Sequence, residues 1–147
     1  MLKIKKTIRF LTVIAIVFAM VISIASLPTS AAGTETWYGS YKTEGEISIN
    51  GSNTTPVKTM GVSGTLKITA YFVPSIALKN VKYVVQIRDL AGRVLASNTF
   101  TSALPTAPVS VSLKVTKGQE VRIFFASYDA ETGANISSKM SYSHSIS

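Results

Sequence analysis

From Trp37 to the C-terminus the chain repeats with a period of two, and few folds accept that rhythm. Side chains on an extended strand point alternately to opposite faces, so apolar and polar residues in alternation mark strands with one face buried. The last segment is the most regular. Ile136, Ser138, Met140, Tyr142, His144 and Ile146 share one parity, and Ser137, Lys139, Ser141, Ser143 and Ser145 take the other.

The same sorting runs through the earlier segments. Trp37, Gly39, Tyr41, Thr43, Gly45, Ile47 and Ile49 form one row, opposite Tyr38, Ser40, Lys42, Glu44, Glu46, Ser48 and Asn50. Gly39 and Gly45 mark a bulge or bend in that long stretch, and Asn50-Gly51-Ser52-Asn53 supplies turn chemistry. Met60, Val62, Leu66, Ile68, Ala70 and Phe72 make the next inward row, which Pro74 ends. Val81, Tyr83, Val85 and Ile87 follow, then a turn at Asp89-Leu90-Ala91-Gly92 and a strand from Arg93 to Phe100. A loop holding Pro105 and Pro108 leads to Val109, Val111, Leu113 and Val115, and a hairpin at Lys117-Gly118 leads to Val121, Ile123 and Phe125. No segment after residue 32 shows a helical period. About seven short strands separated by turn residues predict an all-β, antiparallel β-sandwich, immunoglobulin-like or jelly-roll-like, with a closed barrel as second choice.

Residues 1–32 stand apart. Lys3, Lys5, Lys6 and Arg9 precede an uncharged apolar run from Phe10 to Ile24, then Pro28 and the small residues Ser30-Ala31-Ala32. That order predicts a secretory signal peptide cut after Ala32, leaving 33–147 as one domain; an uncleaved anchor is the alternative. Four of the 15 basic residues fall in this segment, so 33–147 carries 11 basic against 7 acidic groups, a net of +4. Such a balance suits an anionic wall polymer or polysaccharide and falls short of a nucleic-acid binder's basic stripe. The chain has no cysteine, so no disulfide helps the core and no thiolate serves as ligand or nucleophile. Export without cysteine points to a bacterial source, and no membrane association is expected once the signal is cut.

Chemistry-bearing residues are sparse. His144 is the single histidine, which removes paired-histidine metal motifs and leaves a rim or partly buried ring as its expected state. A Ser-His-acid triad using His144 and Asp129 is formally available, but no G-x-S-x-G elbow accompanies it. Glu44 and Glu46, on one strand face, would stand roughly 6–7 Å apart, a spacing near that of glycosidase carboxylates; solvated surface charges are the simpler reading. Asp129 to Asn135 faintly resembles a calcium loop, and a hairpin explains the same residues. No catalytic residue, metal ligand or cofactor is therefore expected.

The outward aromatics carry more. Parity turns Tyr38, Tyr71, Phe124 and Tyr128 away from the core, interleaved with Lys42, Lys67 and Arg122. Rings on a sheet face stack on sugars, and nearby cations pair with acidic groups. The stretch from Val85 to Val94, QIRDLAGRV at its centre, resembles a hairpin of extracellular bacterial immunoglobulin-like modules, which implies a sandwich and no activity. The expected function is a secreted, non-catalytic binding protein of the cell surface or matrix, taking an anionic glycan or wall polymer through Tyr38, Tyr71, Tyr128, Lys42, Lys67 and Arg122. The alternatives are self-assembly or protein binding through an exposed strand edge, at the first or the C-terminal segment, and a small toxin, bacteriocin or inhibitor.

Overall fold

The computed structural model describes residues 34–39, 42–75, 80–102 and 107–147. The proposed signal peptide, 1–32, lies outside them, as does Pro105. Eleven strands follow one another: β1 (Glu35–Trp37), β2 (Lys42–Thr43), β3 (Ile47–Asn50), β4 (Ser52–Thr54), β5 (Lys58–Met60), β6 (Gly64–Pro74), β7 (Val81–Arg88), β8 (Val94–Ser102), β9 (Ala107–Val115), β10 (Glu120–Asp129) and β11 (Ser137–Ile146). Among the described residues there is no helix. The protein is a β-sandwich.

One layer is built from β8, β7 and β10, with β4 and β5 along the far side of β10. The other runs β9, β6 and β11, with β2 and β3 along the far side of β11. All ladders are antiparallel except β1 with β5. Inward rings from the two layers meet: Phe72 lies 6.5 Å from Phe125 and 4.9 Å from Tyr83, and Phe125 lies 5.0 Å from Tyr142. Around them Leu66, Ile68, Val85, Ile87, Ile123 and Met140 are fully buried. Each such side chain contributes roughly 1.5–3 kcal/mol of transfer free energy, which holds the fold without a disulfide.

Two serines inside this core are paired. The Ser127 hydroxyl donates to Ile136 O, and Ser127 Oγ meets Ser138 Oγ at 2.9 Å. That contact accounts for a serine within the apolar row of β11. On the side of β10 away from β7, between β4 and β5, the Thr55 hydroxyl accepts the Ile123 N–H.

Three expectations need correction. The first long segment is not one bulged strand but three short ones, with residues 44–46 outside any strand. Pro108 belongs to β9, where it stands opposite Tyr71; proline is tolerated near the start of a strand at the sheet margin. The C-terminal segment is no edge, because β11 pairs with β6 on one side and with β2 and β3 on the other.

The two layers join at Gly51, between β3 and β4. Its N–H donates to Ile136 O and its carbonyl accepts from Ser127 N–H, so one residue bonds the start of β11 and the body of β10. Its φ is 80°, and a Cβ there would come within 2.4 Å of the Asn135 side chain. Gly51→Ala should therefore cost about 1–3 kcal/mol in urea unfolding. Gly92→Ala, with φ of 84° but open space around it, should cost less, about 1 kcal/mol. Equal losses at both positions would show that the close approach of Asn135 is immaterial.

Candidate functional site

The outer face of the β9–β6–β11 layer is set by ladder register. Reading across the three strands, Ser141, Tyr71 and Pro108 form one row, Ser143, Thr69 and Ser110 the next, and Ser145, Lys67 and Ser112 the third. Lys139 stands opposite Val73 at one end and Lys114 opposite Thr65 at the other. Among the described residues the face carries small hydroxyls and lysines with Val73 and Pro108 beside one aromatic ring, Tyr71, which is 44% exposed. Thr69 and Ser110 hydroxyls meet at 2.9 Å in the row beside that ring.

Next to Tyr71 lies an open depression of about 170 Å³ lined by Glu46, Tyr71, Val73, Lys139, Met140 and Ser141. Lys139 Nζ and Glu46 Oε1 pair across it at 3.0 Å, both well exposed. A sugar offers C–H faces that pack on a ring and hydroxyls that bond to polar neighbours, and this surface presents both partners.

The six candidate contacts do not converge. Tyr71 and Lys67 share this face. Arg122 and Tyr128 lie on the outer face of the other layer, which points the opposite way because Phe72 and Phe125 meet between the layers. Tyr38, 60% exposed, packs its ring onto Gly61 beyond the end of β1. Lys42 stands opposite His144 in the β2–β11 ladder. Phe124, also read as outward, is covered: the Arg88 guanidinium lies over its ring at 3.7 Å. Glu46 and Lys139 were not among the expected contacts. The alternation already put both on outer faces, but only the β3–β11 ladder brings them side by side.

A second polar cluster is internal. Trp37, 1% exposed, stacks on His144 at 3.8 Å with 9° between the planes. Lys58, 7% exposed, sets its ammonium 5.3 Å above the indole and pairs with Glu35 at 2.6 Å. Glu44 Oε1 lies 3.9 Å from His144 Nδ1. His144 is thus fully buried, not at a rim, because its ring completes a stack with the indole. Glu44 is not a solvated partner of Glu46: the break at 44–46 resets the parity, turning Glu44 toward His144 while Glu46 turns to Lys139. Trp37 Nε1 and the Tyr83 hydroxyl are buried without a hydrogen-bond partner among the described residues.

Asp129 sits far from this cluster. Its Oδ1 accepts the N–H groups of Glu131 and Thr132, which hold its carboxyl below the usual range and close a hairpin with Gly133 at φ 72°. His144 lies nine residues beyond Asn135 on an extended strand, roughly 30 Å at about 3.3 Å per residue. The two cannot join in a triad. Among the described residues, no three histidine, cysteine or acidic side chains cluster as a metal site. No helix of the described residues is long and apolar enough to cross a membrane.

Burial, and secondarily the charges of Glu44 and Glu35, pushes the Tyr142 phenol well above its ordinary value of 10.0. Burial alone raises Tyr83. The unfolded chain therefore releases both protons near pH 10 while the folded chain retains them. Stability present below pH 10 should fall above it, by up to ~1.4 kcal/mol per pH unit for each tyrosine, until the folded groups ionise. Tyr142→Phe should make the alkaline limb of the urea-unfolding profile shallower. An unchanged limb would mean that Tyr142 ionises in the fold as freely as in water.

No family model matches the sequence, and no curated protein matches it either. Among solved structures, the chain is similar to the arabinose-bound MgGH51 α-L-arabinofuranosidase (21% identity, 58% of this chain and 15% of that one, TM-score 0.38). It is also similar to the CBM22-1 xylan-binding domain of Paenibacillus barcinonensis Xyn10C (10% identity, 56% and 55%, TM-score 0.38). A third is CsCBM6-3 from Clostridium stercorarium in complex with cellobiose (16% identity, 79% and 99%, TM-score 0.45). The chain thus spans 15% and 55% of the length of the first two.

Proposed function

We propose that this chain is an exported, non-catalytic module that holds a polysaccharide strand, an anionic wall or matrix glycan, against the β9–β6–β11 face. One observation carries the reading: the exposed Tyr71 ring beside an open depression, on a face of hydroxyls and lysines with Val73 and Pro108 next to the ring. Tyr71 would stack on a sugar. Glu46, Lys139 and Ser141 would bond its hydroxyls, and Lys67 would meet an acidic substituent. Tyr38, Tyr128 and Arg122, expected to join them, stand elsewhere on the molecule and are left out of this contact set, as is Lys42.

Binding would be weak per site, since a flat face buries less of a ligand than a cleft does. Retention on purified wall polysaccharide should fall about tenfold for Tyr71→Ala, the loss of about 1.4 kcal/mol of stacking. Tyr71→Phe should retain most of it. Added salt should weaken binding to an acidic glycan and leave a neutral one unaffected, because only the lysine contacts are screened. Equal retention of wild type and Tyr71→Ala on every polysaccharide would sink the proposal. Export is tested separately: protein recovered from the medium should have the mass of a chain starting at Gly33.

A second reading has its own support. β8 carries no charged residue from Val94 to Ser102, and Val94, Leu95 and Phe100 are exposed on it. Margin strands are ordinarily guarded by charge or proline. β8 also approaches β9, where its Asn98 amide donates to Ser110 O. Self-association through β8 would account for that composition, and concentration-dependent size exclusion reports it.

A further inference from the structure

We propose that the outer face of the β8–β7–β10 layer carries a separate oxyanion-binding site formed by Arg88 and Arg122. The two are direct ladder partners, so their Cβ atoms stand about 4.5–5.5 Å apart, and like charges in that position destabilise a sheet. Among the described residues neither has an ion-pair partner; the pairs formed are Lys58–Glu35, Arg93–Asp89, Lys139–Glu46 and His144–Glu44. The nearest acid along β10, Glu120, is two residues from Arg122 and stands opposite Thr59.

Arg88 is held in place before any ligand arrives. Phe124 supports the face of its guanidinium, and Nε and Nη2 both donate to Gln86 Oε1, the former at 2.8 Å. Nη1 and the second Nη2 proton remain for an outside acceptor. A guanidinium fixed in plane loses little freedom on binding, and its fork matches two oxygens of one oxyanion. Arg122, exposed, supplies the second charge. Thr54 and Ser97, in the row of Phe124 and Gln86, place hydroxyls on either flank. A sulfate ester, phosphodiester or uronate carboxylate on a polymer satisfies this chemistry. An anion between the arginines would also relieve their mutual repulsion.

The site faces away from Tyr71 and does not depend on the sugar-stacking proposal. Calorimetric titration of the purified protein with dextran sulfate, polyphosphate, polygalacturonate and unsulfated dextran tests it. At least one polyanion should bind and the neutral dextran should not bind here; which polyanion binds identifies the source of the oxyanion. Arg122→Ala should weaken that binding roughly tenfold. Arg88→Lys should weaken it nearly as much, because charge is kept while the planar fork and its seat on Phe124 are lost. Lys117→Ala, an equal change of charge on the β9–β10 turn, should change it less than about twofold. Thermal unfolding checks that each variant folds, and exposed Arg122 gives a variant with no core contact to lose. If Lys117→Ala costs as much as Arg122→Ala, net charge alone attracts the polyanion and the site is overturned. Absence of binding to all three polyanions overturns it as well. Neither result bears on Tyr71, whose test uses loss of stacking on polysaccharide.

Discussion

Phe72 and Tyr83 packed against Phe125 and Tyr142 form the contact on which the rest of the molecule depends. Because these rings meet between the layers, the residues at alternate positions are turned to the outer faces. That one constraint makes Tyr71, next to Phe72, a surface group, and turns Arg122 and Tyr128, three residues either side of Phe125, to the opposite side. The location of each candidate ligand contact is a by-product of how the interior is filled.

Two outward faces therefore differ by chemistry and not by fold. One is hydroxyls and lysines around an open ring. The other has its Phe124 ring roofed by a guanidinium, which removes that stacking surface and sets a fixed cation in its place. A mildly cationic chain need not spread its charge evenly, and here Arg88 and Arg122 stand side by side on one face while Lys67, Lys114 and Lys139 lie on the other.

Most of the architecture was legible from residue alternation. The rows Leu66 to Phe72, Val81 to Ile87, Val109 to Val115 and Ile136 to Ile146 face the interior as their parity requires. The rule failed where strands are too short to hold it: at 44–46 the phase slips, and Glu44 turned inward as a result. Alternation also says which face a residue takes but not which layer its strand joins. Tyr71 and Tyr128 were therefore grouped as one surface when pairing separates them. The partnership of Glu46 with Lys139, and of Arg88 with Arg122, needed ladder register, which has no local signature. His144 shows the remaining gap, since nothing near it in sequence announces the indole against which it packs.

That indole is the only one in the chain. It is held between the ammonium of Lys58 and the imidazole of His144, on a three-residue strand at the margin of the sheet. Its fluorescence is consequently a local gauge: the emission tracks how β1 is seated on β5 and β11, while far-ultraviolet dichroism follows the sheets as a whole. A difference between the two signals during unfolding would time the release of the N-terminal strand relative to the collapse of the sandwich.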